Sequence, residues 1–403
     1  MESLGHRTKM SKEKFYLVLG IRPDIIRASL LVENLRKRMG ANFSLIWSGQ
    51  HYSGNLKDIF FRQLELDAPE VELGSKGDSD AAVVSSIISR LGEYLSDNPP
   101  AAVAFLGDTN TVMGTVAAAQ LNIPILHIEG GMRSYDWRMP EEKYRKIADH
   151  LSDTIYAYLP SYKEQAAAEG IPNANIEVTG NPIVDVLDKY FISGKLRMSD
   201  TLFREYMDQI YDVKVSEQFV LMTCHRRENI ENRDSLEQIL NLAKSSPYKV
   251  IFPAGYRTQE KLKKYDCRIP DNVRISEPIG YLELLETLAR SQAVLTDSGT
   301  IVEEAAILGI PSIQMRHSTE RPQVYEWGAS IKFDPTLYEN NYKSKIEKVL
   351  SLKTVPWRHD FGVGDASEKI ANSILKKYET KTFGAHDPKL WLPWSANSYS
   401  AEK

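Results

Sequence analysis

The sequence predicts an α/β protein of two doubly wound domains, each with a parallel sheet covered on both faces, facing a central cleft. Three observations carry this expectation. Short apolar runs alternate with helical patterns, the signature of repeated βαβ units. The alternation restarts after about residue 185, so two such sets are present. A chain of 403 residues is also too long for one ordinary core.

In the first set, FYLVLG (15–20) is an apolar run ending in glycine. DIIRASLLVENLRKRMG (24–40) then places apolar residues at helical spacing, with Gly40 as a C-cap. FSLIWSG (43–49), AAVAFLGD (101–108) and IPILHIEG (123–130) repeat the strand-then-glycine design, with helices expected at 55–65, 79–96 and 111–120. Continuous apolar runs, rather than strict alternation, suit strands buried on both faces. In the second set, EQFVLMTCH (217–225), YKVIFPAG (248–255), NVRISEP (272–278), QAVLTDSG (292–299) and IPSIQMR (310–316) read as strands. Helices are expected at 233–244, 256–264, 280–290 and 300–308, and the charged stretch 191–216 reads as a linker. A last helix near 365–378 precedes a Pro/Trp/Ser-rich tail, 383–403, expected to be loose on the surface. The resulting division is an N-terminal domain 1–190, a C-terminal domain 191–364, and a segment 365–403 whose helix packs back on the N-terminal domain.

Composition excludes several function classes. A hydrophobic share of 42% and a charged share of 26% are those of a globular protein. The formal net charge of -4 carries no basic footprint for nucleic acid. MESLGHRTKMSKEKF lacks the apolar core of a signal peptide, and no segment approaches the ~18 apolar residues of a membrane helix. Only Cys224 and Cys267 are present, too few for a disulfide framework or a structural zinc site. A cytoplasmic protein without nucleic-acid or membrane partners is expected.

Open α/β sheets bind ligands beyond the C-terminal ends of their strands. Those ends carry Gly20–Asp24, Gly49-Gln50-His51, Gly107-Asp108-Thr109, Glu129–Arg133, Thr179-Gly180-Asn181, His225–Glu228, Gly255-Tyr256-Arg257 and Asp297–Thr300. Any one of these is ordinarily a turn or a helix cap. Eight on one edge indicate a site.

In TDSGTIVEEA (296–305), Ser298, Gly299 and Thr300 fall where a helix begins, and free N–H groups with the helix dipole suit a phosphate. The bland alternative is a capping box, with Glu303 and Glu304 as helix-friendly acids. The functional one is a diphosphate held by amides, with a glutamate on a sugar hydroxyl pair. GIRPDIIR offers a second helix start, with Arg22 and Arg27 available to the anion. Neither G-x-G-x-x-G nor a P-loop is present, which argues against nicotinamide or ATP-hydrolysis chemistry.

Asp108, Glu129, Glu141 and His225 come from four segments that converge on the cleft. Neighbouring carboxylates raise one another's proton affinity and so tune a general acid or base towards neutral pH. Arg133, Arg145, Arg226 and Arg227 would hold phosphate charge or keep chosen carboxylates ionised. Glu141 and Glu142 also read as a first helical turn after Pro140, and for Glu142 that reading is preferred. Asp136, Arg138 and Lys143 read as solvated surface. No H-x-x-x-H or H-E-x-x-H spacing supports a metal.

Nine blocks, GIRPD (20–24), GQH (49–51), GDT (107–109), HIEGGMR (127–133), PEEKYR (140–145), TGN (179–181), CHRRE (224–228), DSGTIVEE (297–304) and TERPQ (319–323), stand in order. In that order they resemble the non-hydrolysing UDP-N-acetylglucosamine 2-epimerase family, over residues 15 to 375. The resemblance implies a GT-B fold of two Rossmann-like domains, with catalytic carboxylates in the first and UDP in the second. It implies inversion at C2, converting UDP-GlcNAc to UDP-ManNAc by anti elimination of UDP to a 2-acetamidoglucal and re-addition. It further implies that no nicotinamide cofactor is needed, that the protein is a homodimer and that it serves polysaccharide biosynthesis. By position Asp108, Glu129, Glu141, Arg145 and His225 correspond to catalytic residues. Arg22, Arg27, Arg133, Asn181, Arg226, Ser298, Gly299, Thr300, Glu304 and Arg321 correspond to UDP-sugar contacts. Gln50 and His51 match a block near which some members bind an activating second UDP-sugar.

Departures from the family pattern are Thr300 for Gly, Tyr144 for Asn, Arg27 for Lys, Asp24 for Glu, and Gly255-Tyr256 for His-Pro. Arginine for lysine keeps charge but changes reach. These bear on the sugar more than on the reaction type. The alternatives are an epimerase of a 6-deoxy or diacetamido-uronic UDP-sugar, a hydrolysing epimerase releasing ManNAc and UDP, a GT-B glycosyltransferase, or a nucleotide-sugar-binding regulator. Hydrolysing relatives usually lack the P-E-E and T-E-R-P blocks.

Overall fold

In the computed structural model, residues 13–49, 61, 64–194, 197–214, 217–338 and 340–384 are described. They form two compact units. One comprises the described residues up to Met132, Trp137–Pro182 and those from Asp365; the other comprises Arg133–Asp136 and Ile183–Gly364.

The first unit has a seven-stranded sheet of β1 (Phe15–Leu19), β2 (Phe43–Trp47), β3 (Val71–Glu72), β4 (Ala102–Leu106), β5 (Ile125–Ile128), β6 (Thr154–Ala157) and β7 (Ile176–Val178), in the order β3-β2-β1-β4-β5-β6-β7. Every pairing is parallel. The strand order reverses between β1 and β4, and a ligand crevice is expected at such a switch point. β1, β2, β4, β5 and β6 are buried throughout, which is why the first four read as uninterrupted apolar runs; β6 was not among the expected strands. Helix Asp80–Asp97 starts where the Ser79 side chain accepts from the Ala82 amide. It buries Val83, Ile87, Leu91 and Leu95, one apolar residue per turn. Helix Ala366–Thr380 packs Ile370, Ala371, Ile374 and Leu375 inward and lies against helix Arg22–Met39.

The second unit has a six-stranded parallel sheet, β8 (Phe219–Thr223), β9 (Lys249–Pro253), β10 (Val273–Ser276), β11 (Val294–Thr296), β12 (Ser312–Met315) and β13 (Ser330–Phe333), in the order β10-β9-β8-β11-β12-β13. Its switch point lies between β8 and β11. Helices Arg233–Lys244 and Tyr256–Lys264 have the bounds expected from their periodicity.

The stretch 191–216 is not a linker. It carries helix Asp200–Tyr211, capped by the Ser199 hydroxyl, and it buries Phe203, Met207 and Tyr211 with Phe219 and Ile251. These three apolar residues recur every fourth position among charges, so average polarity concealed them. The helix expected at 111–120 starts as a 3-10 turn, Asn110–Gly114, before Thr115–Gln120. Most of the helix expected at 55–65, the tail beyond 384, Gln50 and His51 lie outside the described residues. Among the described residues no helix is long and apolar enough to cross a membrane.

Candidate active site

In the first unit the register Phe105↔His127 and Leu106↔Ile128 brings two strand ends level, so Gly107-Asp108 and Glu129 emerge side by side. Glu129 has φ +73°, a left-handed conformation that costs a non-glycine residue about 1–3 kcal/mol. Its carboxylate is held by several donors: the Arg27 guanidinium on Oε2, the Tyr158 hydroxyl on Oε2 at 3.1 Å, and Arg145 Nη2 on Oε1 at 3.5 Å. Arg145 Nη2 also pairs with Asp108 Oδ2. One guanidinium therefore bridges two candidate catalytic carboxylates. Arg27, Glu129 and Arg145 are buried, whereas Asp108 keeps partial solvent access.

Asp24 anchors the other end of this chain of charges. Its Oδ2 accepts the Gly20 and Ile21 amides at 3.3 and 3.2 Å, and its Oδ1 pairs with Arg27 at 3.1 Å. Burial pushes its carboxyl up from 3.8 to about 6, opposed by Arg27 and the two amides and reinforced by the Glu129 charge. Gly20 has no room for a side chain, since a Cβ there would meet Thr111 Oγ1 at 1.8 Å.

Helix Pro140–Leu151 places Glu141 and Glu142 in its first turn and Arg145 one turn on, so Glu141 and Arg145 share a face. Glu141 is half-buried. Glu142 stands in the first helical turn, as expected, and is buried there. Asp136 is not bare surface either: its Oδ2 accepts from the Ser318 hydroxyl at 2.8 Å. Lys143 lies over the Trp137 ring at 5.4 Å, while Arg138 is exposed as expected. Arg133 and Asn181 are buried. Arg22 begins helix Arg22–Met39, and its side chain lies outside the described residues.

In the second unit the organising residue is Asp297, buried at the end of β11. Its carboxylate accepts the amides of His225 (3.1 and 3.0 Å) and Arg226 (2.9 Å) and the Asn229 side chain (3.0 Å), and lies 3.3 Å from His225 Nδ1. This fixes the loop after β8 and aims the largely exposed His225 ring outward. Burial, with Asp297 alongside, pushes the Cys224 thiol well up, so it is no nucleophile.

Ser298 caps helix Gly299–Ile307. Arg321 lies directly over its first turn: a Cβ at Gly299 would meet Arg321 Nη1 at 2.4 Å. Arg321 in turn pairs with Glu303 at 2.5 Å and Glu320 at 2.8 Å. Glu320 also meets Arg316 at 2.9 Å and Arg226 at 3.7 Å. Thr300 is half-buried in this turn. Glu304, buried, accepts from the Tyr281 hydroxyl at 2.8 Å, and the burial of Tyr281 itself, with the Glu304 charge beside it, pushes that hydroxyl well up. Cations gathered at an N-capped helix start suit an anion.

The structure thus brings Arg27, Asp108, Glu129 and Arg145 together in one unit, and His225, Arg226, Ser298, Gly299 and Arg321 near one another in the other. Sequence reasoning missed Asp24, Tyr158, Asp297, Arg316 and Glu320 as parts of these clusters. Asp297 opens the DSG block and Glu320 lies in TERP, so a signal existed for both. Tyr158 had none.

Comparison with known proteins identifies the family. A family model described as UDP-N-acetylglucosamine 2-epimerase matches residues 33–375. The chain is 34% identical over 374 residues to a UDP-N-acetylglucosamine 2-epimerase of Methanocaldococcus jannaschii, covering 90% of this chain and 98% of that one. It is 30% identical over 369 residues to a UDP-2,3-diacetamido-2,3-dideoxy-D-glucuronate 2-epimerase of Pseudomonas aeruginosa, covering 90% and 99%. A crystal structure of the M. jannaschii UDP-GlcNAc 2-epimerase with UDP-GlcNAc and UDP superposes with a TM-score of 0.81 at 31% identity, over 90% and 99% of the two chains. The two Rossmann-like sheets are those of a GT-B fold. With most of its length matched by the family model, the chain belongs to the UDP-N-acetylglucosamine 2-epimerase family.

Proposed function

We propose that the protein inverts C2 of a UDP-2-acetamido sugar, converting UDP-GlcNAc to UDP-ManNAc. A carboxylate takes the C2 proton while the C1–oxygen bond to UDP breaks, leaving a 2-acetamidoglucal. A proton then returns to the opposite face of C2 as the UDP oxygen re-forms the bond to C1. Both steps need a base on one face, an acid on the other, and a diphosphate that leaves without escaping. The observation that carries this reading is the Asp108–Arg145–Glu129 bridge at adjoining strand ends, two carboxylates sharing one cation. Glu141 would supply the third carboxylate. His225, held by Asp297, would support the leaving diphosphate. Arg226, Arg321 and the start of helix Gly299–Ile307 would bind it, and Arg22, Arg27, Arg133, Asn181, Thr300 and Glu304 would complete the nucleotide-sugar contacts.

Incubation with UDP-GlcNAc in deuterated water, followed by proton NMR, tests this. Deuterium at C2 with UDP-ManNAc accumulating is expected; free ManNAc would mean a hydrolysing enzyme, and unlabelled, unchanged substrate would end the assignment to this sugar. Similarity to a diacetamido-glucuronate epimerase favours that substrate as the second to try. Two cysteines, neither in a disulfide, suit a cytoplasmic setting. The family relationship makes a homodimer the expected state, which light scattering on the purified protein measures.

A further inference from the structure

We infer that His127, paired with Asp149, is a positioning residue that holds the segments carrying Asp108, Glu129 and Arg145 in one arrangement. His127 is wholly buried on β5, two residues before Glu129. Its Nε2 lies 2.7 Å from the carbonyl oxygen of Gly107, the residue preceding Asp108. Its Nδ1 lies 2.6 Å from Asp149 Oδ1, on the helix that also carries Glu141 and Arg145. Asp149 Oδ2 accepts the Gly131 amide at 3.0 Å, which fixes the chain just after Glu129. One ring and one carboxylate therefore tie together the three stretches of backbone that deliver the proposed acids.

The donor count is strict. A carbonyl oxygen only accepts, so Nε2 carries a hydrogen. Nδ1 faces a carboxylate oxygen, so a second proton lies between Nδ1 and Oδ1. Replacing the imidazole by a hydrocarbon would take the Nε2 donor from the Gly107 carbonyl and the Nδ1 partner from Asp149, and the three backbone stretches would lose their common tie. Asp149→Asn is different. Its amide nitrogen can donate to Nδ1 while its oxygen still accepts from Gly131, so a neutral ring with hydrogen on Nε2 keeps the ties to Gly107, residue 149 and Gly131.

This inference rests on the proposed C2 chemistry, and the experiment separates the two. Wild type, His127→Phe and Asp149→Asn are compared for C2 deuterium exchange under saturating substrate, for UDP affinity, and by NMR of imidazole N–H protons in ring-labelled protein. His127→Phe should lower kcat about 100-fold, the scale of a 1 Å misplacement. KM and UDP affinity should stay within about threefold, because UDP is assigned to the other unit. Asp149→Asn should keep kcat within about tenfold of wild type. Wild type should show two slowly exchanging His127 ring N–H signals, one far downfield, and Asp149→Asn only the Nε2 signal. Near-normal kcat in His127→Phe, or an Asp149→Asn loss as deep as that of His127→Phe, overturns the inference. Absence of the two signals from wild type overturns it even if His127→Phe does not fold. A wild type inert towards the sugar would instead defeat the proposed reaction while the ring signals still decide the pairing.

Discussion

At the scale of single residues, the site is a set of charges that constrain one another. Glu129 accepts from Arg27, Arg145 and Tyr158, and Asp108 shares Arg145. Glu129→Gln or Asp108→Asn should lower C2 exchange by at least about 1000-fold while leaving UDP affinity within a few-fold; near-normal turnover in either removes that carboxylate from the chemistry. Asp24 makes a different prediction. Its folded-state value of about 6 lies above the ordinary 3.8, so the native state holds this proton more tightly than the unfolded chain does. The stability it contributes is present below about pH 4 and is lost as pH rises through about 6. Urea unfolding of wild type and Asp24→Asn across that range should show wild type losing stability relative to the variant, and parallel curves would refute the assignment. Much of this was legible: Asp108 and Glu129 stand in recognisable blocks at predicted strand ends, and Arg145 in the PEEKYR block on a helix. The Tyr158 contact was not, because a lone tyrosine after an apolar run gives no sign of what it faces, and the positive φ of Glu129 leaves no trace in residue type.

At the scale of elements, parallel strands ending level with one another do the assembling. β4 and β5 put Asp108 beside Glu129, and β8 and β11 put His225 beside Asp297. Helix Gly299–Ile307 begins under Arg321 with no space for a side chain at its first residue. Gly299→Ala should displace the guanidinium and weaken UDP binding roughly tenfold, about 1.4 kcal/mol, in a calorimetric titration. Unchanged affinity would take this helix start out of the diphosphate site. The principal strands were readable because burial on both faces makes them continuous apolar runs. β3, β6 and β13 were not picked out, and β7 was marked only by the Thr179-Gly180-Asn181 at its end; β3 and β7 are two and three residues long and only partly buried. Helix Asp200–Tyr211 was masked by its own charged face, a case where periodicity outweighs composition.

At the scale of the whole molecule, the chain completes the first unit only with residues from its C-terminal end. Helix Ala366–Thr380 buries Ile370, Ala371, Ile374 and Leu375 and lies against helix Arg22–Met39. It also accepts from the first sheet: the Tyr156 hydroxyl reaches Ser373 at 3.0 Å. Ending the chain at Gly364 should remove several buried aliphatic side chains from the first unit and destabilise it by roughly 5 kcal/mol or more. A two-step thermal unfolding profile, with only one step lowered, would match; an unmoved profile would mean the helix is dispensable. A C-terminal helix was expected from sequence. Its return to the N-terminal domain was expected too, but the element it meets, helix Arg22–Met39, could be named only from the buried apolar stripe.

That connectivity has a consequence for biogenesis. Strand β1 belongs to a body that is finished only after the entire second sheet has left the ribosome. During synthesis the surface of helix Arg22–Met39 that helix Ala366–Thr380 covers waits exposed. The nascent polypeptide therefore closes its oldest part last, and premature termination anywhere before the final helix releases a product with a bare apolar flank for chaperones and proteases to recognise.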